Sequence, residues 1–139
     1  MQTLPEPTEV LPHRPPFLFV DRLLELEVGR RVVAVWTPPE TAEWFKGHFP
    51  GRPIVPGVLL LEALAQAGAA AVLADPRHRG RLPLFAGIDR ARFRRPVHPG
   101  ETVRLEVTLE QMSSRAGRGQ GRAFVGSEPA VQAALMFVF

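Results

Sequence analysis

The stretch from Gly57 to Ala74, GVLLLEALAQAGAAAVLA, constrains this chain more than any other. Leu and Ala dominate it, and both are strong helix formers. Pro56 suits a helix start and Asp75-Pro76 a helix stop. About 18 residues at ~1.5 Å each give about 27 Å, nearly the depth of a membrane. Two polar residues inside it, Glu62 and Gln66, and the strand-like segments that follow argue instead for a core helix. A helix apolar almost all round is what a sheet wrapped about it would bury. No membrane span is therefore expected.

The flanking pattern agrees. RRVVAVWTP, Arg30 to Pro38, is β-branched and bounded by Gly29 and Pro38, which predicts a strand. Leu18 to Leu26 fits a short helix or a strand, and TAEWF a short helical turn. In TVRLEVTLE, Val103, Leu105, Val107 and Leu109 alternate with polar residues, so one face is buried. RAGRGQG reads as a flexible turn, GRAFVG as a strand and EPAVQAALMFVF as the last one. Strands outnumber helices after residue 80, which gives an α+β fold with the long helix on one face of an antiparallel sheet. A chain of 139 residues with 45% hydrophobic content suits one domain over 1–139, with residues 1–10 as a loose lead-in.

The segment ahead of the helix, GHFPGRPIVPG, cannot be regular structure, because its prolines remove donors and fix the backbone. It carries His48, and an imidazole is the usual proton acceptor near neutral pH. Glu62 and Gln66 are four apart and share a helix face. A carboxyl on such a helix is paired, protonated, or facing a cavity, since an ionised and unpaired one is costly. The helix start offers the free amides of Gly57 and Val58 to a developing oxyanion. Base, acid and oxyanion donors together suit removal of a proton beside a carbonyl with loss of a hydroxyl as water. On spacing alone, such a pair is more often structural than catalytic. His13, His78 and His98 have no comparable context and read as surface or turn residues.

The run HFPGRPIVPGVLLLEALAQ, His48 to Gln66, closely resembles the signature of bacterial 3-hydroxyacyl-acyl-carrier-protein dehydratases of type II fatty acid synthesis. LPHRPPFLFVDR resembles the family's opening segment and FAGIDRARFRRPVHPGE a later one, so the likeness covers nearly the whole chain. It implies the hot-dog fold, a sheet wrapped around a long central helix. It implies His48 and Glu62 as catalytic residues, Gly57 as an oxyanion amide, and Gln66 as a support for the Glu or a water. It further implies dimers whose sites take His48 from one subunit and Glu62 from the other, with a trimer of dimers a common assembly. The dehydratase/isomerase branch usually has Asp in place of Glu62, which favours dehydration without isomerisation. Pro15, Leu84 and Ala134 depart from residues usual in the family and bear on tunnel shape and chain-length preference. A hot-dog acyl thioesterase and a non-catalytic acyl-binding module are the alternatives.

The resemblance implies no metal or redox cofactor, because the phosphopantetheine arrives on the acyl carrier protein. The chain has no cysteine, so it has no disulfide framework or thiolate metal site, and its opening does not read as a secretory signal. A cytoplasmic location is expected. The net charge is +3, carried almost wholly by Arg. Arg90, Arg92, Arg94 and Arg95 cluster in DRARFRRP, and the resemblance implies docking of an acidic carrier there rather than nucleic-acid binding. Strand alternation would place Arg90, Arg92 and Arg94 on one face, with Phe93 and Arg95 on the other.

Overall fold

The computed structural model describes residues 3–139. Six strands form one antiparallel sheet: β1 (Arg22–Glu27), β2 (Arg31–Trp36), β3 (Leu84–Phe93), β4 (Val103–Met112), β5 (Ala116–Val125) and β6 (Glu128–Val138). Their spatial order is β1-β2-β4-β5-β6-β3. The long helix α2 (Gly57–Leu73) lies between β2 and β3 in sequence, and a short helix α1 (Pro7–Val10) precedes β1. After β2 the chain traverses α2, lays β3 on the far edge, and returns to β4 beside β2.

The helix packs against β1, β2, β4, β5 and β6. Its small residues let it come close. Ala63, Ala67, Ala70 and Ala71 are fully buried, and a Cβ on Gly68 would meet the Val107 side chain at 3.1 Å. Leu60, Leu64 and Leu73 fill the remaining space, each worth about 1.5–3 kcal/mol when removed from water. β4 supplies the facing layer with Val103, Leu105, Val107 and Leu109, as its alternation predicts.

Three local expectations change, and one left open is resolved. RAGRGQG is not a turn but most of β5. Gly117, Gly119 and Gly121 recur with the period of one strand face. A Cβ on Gly121 would crowd Leu64 of α2 at 3.2 Å, and one on Gly119 would sit 2.8 Å from the Thr108 carbonyl oxygen. The glycines mark close approach, not flexibility. In the lead-in, Pro7–Val10 form a helical turn closed by a Glu6/Glu9 capping box, and Val10 joins the core. The Leu18–Leu26 ambiguity resolves to β1, which begins at Arg22. The Arg alternation fails, because β3 bulges between Asp89 and Arg92, Arg90 has φ of 54°, and the strand ends at Phe93.

β3 has a partner on one side only and is exposed along almost its whole length, with Leu84, Phe85, Ile88 and Phe93 all open to solvent. The close β4–β5 contact can be tested directly. Gly119→Ala should lower the urea midpoint of unfolding with an unchanged slope, corresponding to about 1–3 kcal/mol.

Candidate active site

The wrapped helix keeps one open stripe. Val58 is 67% exposed, and Glu62 and Ala65 follow it at helical spacing as part-buried residues among buried neighbours. Glu62 therefore resolves the sequence puzzle in two ways at once: it faces a cavity and it is paired. Gln66 Nε2 donates to Glu62 Oε2 at 2.8 Å and also to the Phe17 carbonyl at 3.1 Å. The Gln66 side-chain carbonyl accepts the Phe19 N–H at 2.7 Å. These bonds fix the amide's orientation, so an N–H, not an oxygen, meets the carboxylate.

The cleft beside Glu62 is narrow, about 40 Å³, and is lined by His13, Ala65, Ala69, Leu84, Phe85 and Phe137 among others. Leu84, one of the departures from the family pattern, thus borders this cleft. His13 was expected at the surface or in a turn. Its Nε2 instead lies 3.7 Å from Glu62 Oε2, with the side chain four-fifths buried. No local spacing links His13 to Glu62; only the folding of the Leu11–Phe19 segment along α2 brings them together.

His48 occupies a different cavity. Its loop is held by Ile54 N–H to the His48 carbonyl at 2.9 Å, and by paired bonds between Phe49 and Arg52 around Gly51, whose φ of +73° suits glycine. Val55 N–H, bonded to the Val97 carbonyl at 2.8 Å, anchors the loop to the opposite wall. The His48–Phe49 peptide bond is cis, and the two rings stack 4.1 Å apart. His48 Nδ1 lies 2.8 Å from the Ile54 carbonyl. A carbonyl only accepts, so Nδ1 carries the hydrogen and Nε2 keeps its lone pair.

The His48 cavity measures about 560 Å³ and is lined by Gly57, Val58, Phe93, Arg94 and Arg95 among others. The Phe93 ring rests on Gly57, where a Cβ would come within 2.7 Å of it. The helix start leaves its first amides without intrahelical partners, and Gly57 and Val58, which stand there, line this cavity. Arg95 is tied to Glu101 at 3.1 Å. Glu101 is held below the usual carboxylate range, chiefly by the His98 backbone N–H and also by Arg95. Arg94 donates to Gln132 at 3.2 Å. Arg90 and Arg92 are exposed and line neither cavity. One chain thus gathers His48, Gly57 and Val58 at one cavity, and Glu62, Gln66 and His13 at another.

An antiparallel sheet around a central helix is the hot-dog fold, and solved structures share it. The dehydratase heterocomplex ApeI:P from Xenorhabdus doucetiae matches with a TM-score of 0.79 at 17% identity, over 99% of this chain and 91% of that one. A virulence protein from Campylobacter jejuni matches with a TM-score of 0.68 at 13% identity, over 95% and 85%. The family model described as a FabA-like domain matches residues 11–134, and the chain belongs to that family. Its curated relatives are more specific. The 3-hydroxyacyl-[acyl-carrier-protein] dehydratase FabZ of Symbiobacterium thermophilum is 58% identical over 93% of this chain and 91% of its own length. The enzyme of the same name from Chloroflexus aggregans is 54% identical over 99% and 95%.

Gln66 is buried and saturated, so its loss should be felt in the fold. Gln66→Leu orphans the Phe19 N–H and the Phe17 carbonyl and should destabilise by about 1–3 kcal/mol in chemical denaturation. Unchanged stability would mean that water replaces the amide.

Proposed function

We propose that His48 and Glu62 are the base and the acid of a 3-hydroxyacyl-acyl-carrier-protein dehydratase, meeting across a subunit boundary. The activity is that of the FabZ dehydratases in fatty acid biosynthesis, with which this chain shares more than half its residues. The observation that carries the residue roles is the His48–Ile54 hydrogen bond, because it leaves Nε2 free to accept a proton.

In the proposed reaction, Nε2 of His48 takes the α-proton of the 3-hydroxyacyl thioester. Charge moves onto the thioester oxygen, where the Gly57 and Val58 amides stabilise it. The electron pair then forms the α,β double bond as the β-carbon–oxygen bond breaks. Glu62 gives its proton to the departing hydroxyl, which leaves as water, and a trans-2-enoyl thioester remains. Return of the proton from His48 to Glu62 through solvent restores the site. This elimination needs no electron donor or acceptor, and the phosphopantetheine arm is supplied by the carrier.

Two features support a homodimer. Each cavity of one chain holds only half of the catalytic pair. The edge strand β3, adjoining both cavities through Leu84, Phe85 and Phe93, presents an unpaired apolar ladder suited to a second copy. No helix among the described residues is long and apolar enough to cross a membrane. The carrier-borne substrate and a cysteine-free sequence accord with a cytoplasmic enzyme.

His48→Ala and Glu62→Gln should each fold and each lose at least ~100-fold in enoyl formation, as general acid–base residues do. Mixing the two inactive proteins should restore activity as subunits exchange; no recovery despite proven exchange would place both residues of a site in one chain. Arg90 and Arg92, exposed on β3 ahead of Phe93, are proposed to steer the acidic carrier, with Arg94 and Arg95 at the wall of the His48 cavity. Reversing Arg90 and Arg92 to Glu should raise KM for the carrier-borne substrate and leave a small acyl thioester unaffected. Added salt should likewise slow only the carrier-borne reaction, since such charges are screened over about 8–10 Å. Equal effects on both substrates would remove the cluster from docking.

A further inference from the structure

We infer that His13 is a positioning residue for Glu62, sharing Oε2 with Gln66 so that Oε1 is the oxygen that exchanges its proton with the substrate hydroxyl. The inference rests on the reading of Glu62 as the acid. A carboxyl with two free oxygens can present either one, and can swing between them. Here Gln66 already donates to Oε2 at 2.8 Å, and its own orientation is fixed by Phe17 and Phe19. His13 Nε2 approaches that same oxygen, at 3.7 Å, and lines the same cleft.

The ring's other nitrogen says which way the imidazole is polarised. His13 Nδ1 is enclosed and has no hydrogen-bond partner. A bare lone pair is tolerated there better than an N–H, which would have no acceptor. The neutral ring therefore carries its hydrogen on Nε2, directed at Glu62. At 3.7 Å the contact is longer than a hydrogen bond, and contacts of this kind tighten when substrate closes a catalytic site.

The ring is delivered by a braced backbone. The Arg14 guanidinium binds the Thr8 carbonyl at 3.0 Å, the Leu11 carbonyl at 2.8 Å and the His13 carbonyl at 2.6 Å, tying down the chain that leads into the ring. Leu11 is buried in the core, and Phe17 and Phe19 are bound to Gln66. The segment from Leu11 to Phe19 thus forms one wall that grips the acid twice, through His13 directly and through Gln66.

The test compares variants that keep or remove the donor. His13→Phe, which keeps a ring but no donor, should lower kcat for enoyl formation at least ~10-fold with KM within about twofold, the signature of an interaction realised in the transition state. His13→Gln, which returns an N–H on a similar reach, should recover to within about threefold of the native rate. In a Glu62→Gln background the His13→Phe change should cost nothing further, because it acts through that carboxyl. Should His13→Phe fail to fold by circular dichroism, His13→Ala with and without added imidazole replaces it, and the imidazole should restore the rate. A native rate in His13→Phe, a His13→Gln enzyme as slow as His13→Phe, an equal loss in both backgrounds, or no response to imidazole would each overturn the inference. Near-normal dehydration by Glu62→Gln would instead overturn the acid assignment itself, so the two failures are distinguishable.

Discussion

Burial of α2 depends on the saturation of one amide. Gln66 is the buried polar side chain of the core among the described residues, and it reaches two backbone groups and a carboxylate at once. Without those partners the middle of the helix would bury unsatisfied donors and an acceptor. With them, the Leu11–Phe19 segment is fastened to the helix, and the helix can be apolar on every side except a single stripe. The same amide that lets the core close therefore also orients the group at its one opening.

That opening is divided. The Pro/Gly loop and the helix start build a cavity around His48, and the middle of α2 with the N-terminal segment builds another around Glu62. Each has the hydrogen bonding its partner residue needs: a carbonyl to fix the imidazole tautomer, and an amide to fix the carboxylate. Neither has the complementary residue. The large apolar side chains left open beside them, Val58, Phe93, Leu84 and Phe85, are what a second surface would cover. On the proposed reading, a site split in this way would tie chemistry to assembly.

Much of this was legible in the sequence because it is local. The helix, its start at Gly57, the alternation of β4 and the irregular loop before the helix all follow from composition within a short window. The Glu62–Gln66 pair follows from helical periodicity. Reading failed where the reason for a residue lay across the fold. Glycines in β5 looked like a turn because the crowding that requires them comes from Thr108 and Leu64, distant in sequence. His13 looked unremarkable because its neighbour Glu62 is brought to it only by the wrapping of the chain. The arginines of β3 lost their alternation to a bulge and a positive φ at Arg90, which no periodicity announces.

If β3 is the seam of the proposed dimer, its open ladder has a consequence for the chain before it assembles. Sheet edges in solitary proteins are usually guarded by charge, proline or a covering element. Here one bulge with Arg90 and Arg92 guards the far end, while the segment from Leu84 to Ile88 is apolar and exposed, interrupted only by a second bulge between Phe85 and Gly87. On that reading a newly made subunit carries an unpaired edge, and pairing with its own kind would compete with disordered accretion. Solubility becomes a kinetic contest decided by how quickly equals find each other. Dilution, which slows productive pairing, and crowding by unfolded neighbours, which feeds the alternative, are the conditions under which the fold is most exposed.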